Sequence, residues 1–292
     1  MLRVAFVAAA VALITFPLMP LQWIAVRLNL SLQRRIPVFY HRMLCAILGV
    51  RVRVVGTRMA QHPLLIVANH SSWLDIPVIT SAAPVVFVAK SEVARWPLFG
   101  LLAKLQRSVF VDRSRRHRTA QVNAEIARRL AAGDPVLLFG EGTSSDGNRV
   151  LPFRTALIGA ARDALAEAEH ARRVWIQPLS LAYTGLHGLP LGRQHRPIVA
   201  WYGNFSLWPH LVGITRRGAV DVVLTWGEPI AFDETTDRKD AARSLETEVR
   251  QLTARALRER PGGGAARAPT SRPPFHFRPK PAKTGDGARA QT

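Results

Sequence analysis

The first pattern along the chain is a block with almost no alternation at all. From Val4 to Val26 only Thr15 and Gln22 are polar. That length is close to the roughly 20 residues that a spanning helix needs. Pro17 and Pro20 predict a kink within it. Arg3 and the run Ala8, Ala9, Ala10 are also features of a signal peptide. The apolar stretch continues past those alanines without a clean cleavage site, so an uncleaved anchor is expected. Arg27, Arg34 and Arg35 follow it, and basic flanks of this kind keep the following body on the cytoplasmic side. The expected location is therefore the inner (cytoplasmic) membrane, with the main domain facing the cytoplasm.

A second helix follows, in which Ile36, Phe39, Tyr40, Met43, Leu44, Ile47 and Leu48 recur at helical spacing and predict one apolar face. That face suits a core helix, or a helix lying in the membrane interface with its cations over lipid headgroups. Residues 1–50 are read as a two-helix membrane anchor.

From Arg51 the period changes. Short apolar runs at Arg51–Val55, Leu64–Ala68, Val85–Ala89, Ser108–Val111, Val136–Phe139, Val174–Ala182, Pro197–Tyr202 and Val220–Trp226 predict strands. Between and after them, Thr119–Ala132, about Thr155–Ala168 and Thr236–Glu259 predict helices. Alternation of this kind predicts an α/β fold, a mixed sheet flanked by helices, over residues 51–260. Residues 261–292 carry a triple glycine, six prolines and six Lys or Arg against one acid. They predict a disordered basic tail.

Charge and cysteine content narrow the class. The formal net charge is +20, which attracts polyanions such as nucleic acid or an anionic membrane surface. No nucleic-acid-binding module is recognisable, and the apolar amino-terminal block favours the membrane, so no nucleic-acid partner is expected. Cys45 is the single cysteine. It excludes a disulfide framework and a cysteine-based metal site.

Four short blocks carry candidate chemistry. Asn69-His70-Ser71-Ser72-Trp73-Leu74-Asp75 follows a buried-strand run directly, and ligand-facing loops of α/β sheets lie at the carboxyl ends of strands. With His70 outside a short helix and Asp75 in its first turn, the carboxylate reaches back to the imidazole. That is a base and its orienter. A histidine satisfying loop backbone groups is the plainer alternative. Phe110-Val111-Asp112-Arg113 ends another apolar run, and Arg113 offers a planar fork for phosphate or carboxylate. Arg115, Arg116 and Arg118 follow, as they would in a basic surface loop. Phe139-Gly140-Glu141-Gly142-Thr143-Ser144 closes a third run. Its glycines permit close backbone approach. Ile176-Gln177-Pro178-Leu179 places a proline in a strand-like run, which predicts an edge, bend or bulge.

Together and in this order the blocks resemble the glycerolipid acyltransferase family, which includes the 1-acylglycerol-3-phosphate acyltransferases. The NHxxxxD motif corresponds to Asn69–Asp75, and the block ending Asp-Arg to Asp112-Arg113. The Pro-Glu-Gly-Thr block corresponds to Gly140–Thr143, with Gly140 where proline is usual. The proline-containing hydrophobic block corresponds to Ile176–Leu179. The resemblance covers about residues 34–230. Lys90, Pro97, Gly100 and the segment Thr143–Phe153 look closest to the branch that acylates lyso-ornithine lipid.

The resemblance implies roles. His70 is the general base for the acceptor hydroxyl and Asp75 orients it. Arg113 binds the acceptor headgroup, and Glu141, Gly142 and Thr143 shape the acceptor site. An acyl carrier protein or coenzyme A thioester is the acyl donor and a lysolipid the acceptor, with no cofactor and no metal. Many family members have arginine where this chain has Ser144. That departure shifts the balance between the two acceptors the family suggests, lysophosphatidic acid and lyso-ornithine lipid, towards the latter. A hydrolase using the same dyad on water is the alternative reading.

Overall fold

The computed structural model describes residues 1–111, 119–155, 159 and 173–259. Seven helices are described: α1 (Leu2–Arg27), α2 (Leu32–Leu48), α3 (Asp75–Ala82), α4 (Phe99–Leu105), α5 (Thr119–Ala131), α6 (Leu207–Arg217) and α7 (Arg238–Arg258). The strands are β1 (Val50–Val55), β2 (Leu64–Ala68), β3 (Val86–Lys90), β4 (Val109–Val111), β5 (Val136–Phe139), β6 (Val174–Leu186), β7 (Leu189–Pro190), β8 (Val220–Trp226) and β9 (Ile230–Phe232). They form one mixed sheet in the order β1-β8-β6-β2-β5-β3-β4, with β7 and β9 added to β6. The mixed α/β sheet expected from the alternating pattern is therefore present.

β2 lies between β5 and β6 and runs parallel to both. All five of its residues are buried, as a central strand covered on both faces requires. Its side chains alternate between two cores. Leu64, Ile66 and Ala68 join the cluster that takes in Leu48 of α2, Val78 and Ile79 of α3, and Ile214 of α6. Leu65 and Val67 join the cluster containing Ile126 and Leu130 of α5 and Leu245 and Val249 of α7. Helices thus cover both faces, while the carboxyl ends of β2 and β5 remain adjacent. Ala68 pairs with Phe139 and with Leu179.

Several local expectations are corrected. Pro197–Tyr202 is not a strand. Arg196–Ile198 forms a 3-10 turn, in which Pro197 needs no donor. The next free N–H, that of Trp201, goes to Ser71 O at 2.7 Å rather than to a neighbouring strand. Pro178 sits inside the sheet, not at its edge. On one side β6 pairs with β9 as far as Ile176 and with β8 from Leu179 onward. The missing N–H falls at that join, and Gly227 N donates to Pro178 O across it at 2.9 Å.

In α2 the inward line is Gln33, His41, Cys45 and Leu48, whereas Phe39 and Met43 face outward. The inward polar groups are satisfied locally. Gln33 donates to Asn29 at 2.7 Å and the His41 ring meets Pro37 O at 2.8 Å. Of the helix expected over Thr155–Ala168, only Thr155 and Gly159 are described, both helical; the remainder lies outside the described residues. So does the tail. The pattern gave no warning of α4 or α6.

Among the described residues α1 is the one helix long and apolar enough to cross a membrane. It continues through Pro17 and Pro20. The body of the protein touches it near both ends: Arg3 Nε donates to Thr215 O at 2.7 Å, and Gln22 Nε2 donates to Leu105 O at 2.8 Å.

Candidate active site

Asn69 closes the end of β2. Its side chain donates to Leu181 O at 2.9 Å and accepts from Leu181 N at 2.8 Å. The amide thereby continues the strand pairing with β6 for one more residue, which a side chain with both a donor and an acceptor can do. His70 leaves the sheet at the next position. Its backbone is gripped by the loop after β5. Glu141 Oε1 accepts from His70 N at 2.9 Å, while His70 O accepts from Ser145 N at 2.9 Å and Ser145 Oγ at 3.2 Å. Its ring stacks on Phe139 with centroids 3.9 Å apart.

Asp75 opens α3 and is fully buried. Oδ2 meets His70 Nδ1 at 2.7 Å and accepts from Ser71 N at 2.8 Å and Ser72 N at 3.0 Å. Oδ1 accepts from Tyr183 of β6 at 2.6 Å. Four donors therefore converge on a carboxylate, which only accepts. Burial, reinforced by the Asp75 charge, pushes the Tyr183 hydroxyl well above its ordinary value, so it remains a donor. With Nδ1 committed to Asp75, Nε2 is the nitrogen left for a substrate hydroxyl. The ring keeps 19% of its side-chain surface exposed.

The second loop turns at Gly142, whose φ of +68° is costly for other residues. Glu141 is buried, and both its oxygens are occupied by backbone donors, Oε2 by Leu151 N at 3.2 Å. Burial pushes its carboxyl up to about 8 against the opposing pull of those two N–H groups; the nearby Asp75 charge adds to the rise. Thr143 is exposed and Ser144 half-buried. Gly140, where the resemblance leads one to expect proline, leaves room for Phe153: a β-carbon at 140 would stand 2.7 Å from its ring. Arg154 lies over Gly142, with Nε 2.7 Å from where a β-carbon would be. Arg113 lies outside the described residues. Tyr183 and Ser145 carry no motif signal of their own, and Phe139 heads the third block with no role assigned to it. Tyr183 lies one residue past the expected strand Val174–Ala182, and nothing in its spacing ties it to Asp75.

A family model described as acyltransferase matches residues 51–182. A lyso-ornithine lipid O-acyltransferase of Brucella abortus is 49% identical over 256 residues, covering 88% of this chain and 96% of the relative. The chain belongs to the acyltransferase family. A second relative, the lyso-ornithine lipid O-acyltransferase of Rhizobium meliloti, is 45% identical over 91% of each chain. A 1-acyl-sn-glycerol-3-phosphate acyltransferase of Neisseria gonorrhoeae is 36% identical but covers only 39% of this chain and 45% of its own length. The crystal structure of the 1-acyl-sn-glycerophosphate acyltransferase of Thermotoga maritima shares the fold, with a TM-score of 0.55 and 22% identity over 76% of this chain and 79% of that one. The acyltransferase motifs thus sit on the acyltransferase fold, and the hydrolase alternative gains no support from these relatives.

Proposed function

We propose that this acyltransferase moves a fatty-acyl group from an acyl carrier protein or coenzyme A thioester to the free hydroxyl of lyso-ornithine lipid. The observation that carries the chemistry is the 2.7 Å contact between His70 Nδ1 and a buried, fully satisfied Asp75. His70 Nε2 takes the proton of the acceptor hydroxyl as its oxygen attacks the thioester carbonyl. The tetrahedral adduct collapses with cleavage of the C–S bond, and the thiolate takes the proton back from Nε2. Asp75 keeps the proton on Nδ1 and supports the imidazolium formed in between. No acyl-enzyme is formed, because the acceptor brings its own nucleophile.

The acceptor assignment draws on the names of the two relatives that cover most of their length and on the second loop. A phosphate monoester carries more charge than a carboxylate and is costlier to desolvate unpaired. Ser144 supplies no cation, and Arg154 offers one fork, enough for an amino-acid carboxylate. Arg113 is assigned to the same headgroup, with Gly142 and Thr143 beside it. The site is taken to work at the cytoplasmic face of the inner membrane, with α1 and α2 as the anchor. An apolar anchor predicts retention on membranes at high salt.

The decisive experiment assays purified enzyme with lyso-ornithine lipid and lysophosphatidic acid as acceptors and one acyl donor. Higher kcat/KM on lyso-ornithine lipid is expected. Higher kcat/KM on lysophosphatidic acid would overturn the acceptor, and thioester loss independent of either lysolipid would overturn transfer itself.

A further inference from the structure

α4 and α6 both pack against α1, and large apolar side chains stand exposed at and just before their amino-terminal ends. Leu98 and Leu101 are 50% and 44% exposed, and Phe205 and Trp208 are 55% and 67% exposed. The two pairs belong to one surface. Trp96, just before α4, meets Trp201, just before α6, edge to face at 6.4 Å. α1 closes the third side through the Thr215 and Leu105 contacts. Leu98 is held outward at φ +60°, ψ −56°, a conformation that costs a non-glycine residue about 1–3 kcal/mol. Large side chains left in water on a strained backbone need a partner.

The surface is also tied to the chemistry. Trp201 N donates to Ser71 O at 2.7 Å and Trp73 Nε1 donates to His210 of α6 at 3.0 Å, so both anchor points lie inside the Asn69–Asp75 loop. Its rim is cationic, with Arg95, Lys104, Arg216 and Arg217 all exposed. Across residues 91–105 and 201–218 the single acid is Glu92. Apolar and tryptophan side chains ringed by Lys and Arg match a bilayer interface, where rings and aliphatic groups enter the acyl boundary and cations meet anionic headgroups.

We propose that Leu98, Leu101, Phe205 and Trp208 form a second membrane-inserting lip, separate from α1, that seats the mouth of the His70 site on an anionic bilayer. An acceptor then reaches Nε2 from the lipid phase without its chains crossing water. The proposal does not depend on which lysolipid is the acceptor.

The test uses the full chain reconstituted in vesicles of phosphatidylcholine and phosphatidylglycerol. In a Cys45→Ala background, single cysteines are introduced by Leu101→Cys, Trp208→Cys, Phe16→Cys on α1 and Arg243→Cys on the far helix α7, each labelled with an environment-sensitive fluorophore. Lipids brominated on the acyl chain should quench the labels at 101 and 208 at least about threefold more than the label at 243. Equal quenching at 101, 208 and 243 overturns the lip. The label at 16 reports on α1 alone, so failure of the anchor is read separately. Emission changes at 208 caused by acyl carrier protein or by a second copy of the chain, without lipid quenching, would assign the surface to a protein and overturn the proposal. Carrying two label sites covers the case in which one substitution disturbs folding.

Discussion

The loops that follow β2 and β5 stand side by side and are built on opposite plans. The first, Asn69–Asp75, is locked. Asp75 collects four donors, the Asn69 amide is paired on both its atoms, and the His70 backbone is held at both its N–H and its carbonyl. The second, Gly140–Arg154, is divided between buried and exposed residues. Two of its buried residues, Glu141 and Ser145, hold the first loop through the His70 backbone, while Thr143 and Arg154 are exposed. On the proposed reading, proton transfer falls to groups held in place by several hydrogen bonds, and headgroup contact to exposed side chains.

The sharpest way to break this contrast is His70→Ala. Turnover should fall about 10²–10⁴-fold, the usual cost of a lost general base, with membrane association intact. Activity within a few-fold of the parent enzyme would remove the proposed base. Asp75→Asn belongs with it, since it removes the carboxylate that fixes the ring.

Tyr183→Phe is the next step down. It deletes one donor of a charge-assisted hydrogen bond, worth about 1.5–3 kcal/mol, and is expected to lower kcat by about tenfold or more with acceptor KM unchanged. A change confined to KM would show that Tyr183 does not act through the dyad.

Glu141 gives a pH signature. Its folded value of about 8 lies above the ordinary 4.5. Between those limits the native state holds a proton that the unfolded chain has released. Its contribution is therefore fully present at acid pH and is lost as pH rises towards 8, by up to about 1.4 kcal/mol per unit. Melting temperatures measured from pH 5 to 8 should fall less steeply in Glu141→Gln than in the parent. Parallel curves would mean that Glu141 is ionised throughout.

The smallest effect is expected at Ser144→Arg, a few-fold shift of the acceptor ratio towards lysophosphatidic acid, since one exposed cation adds modestly. No shift would place headgroup reading elsewhere in the second loop.

The same contrast explains what was legible in the sequence. Buried central strands are continuous apolar runs, so β2 and β5 and the loops after them were located, and NHxxxxD fixed the His70–Asp75 pairing because the partners lie five residues apart. Tyr183 was invisible because its tie to Asp75 depends on strand order, which residue periodicity does not encode. α4 was missed because Phe99–Leu105 is too short to establish a helical period, and α6 because Pro209 and Gly213 interrupt its pattern. The Pro197–Tyr202 run was misread because Val199 and Ala200 are buried by a turn rather than by a ladder.

The tie between Tyr183 and Asp75 joins residues 108 apart in the chain. During synthesis at about 5–20 residues per second, Asp75 leaves the ribosome roughly 5–20 s before the hydroxyl that completes its shell. Leu181, which holds Asn69, arrives equally late. A nascent or truncated chain ending before β6 thus contains the whole NHxxxxD segment without the clamp that arms it. On the proposed mechanism, an unfinished copy lacks the fixed carboxylate that proton transfer needs.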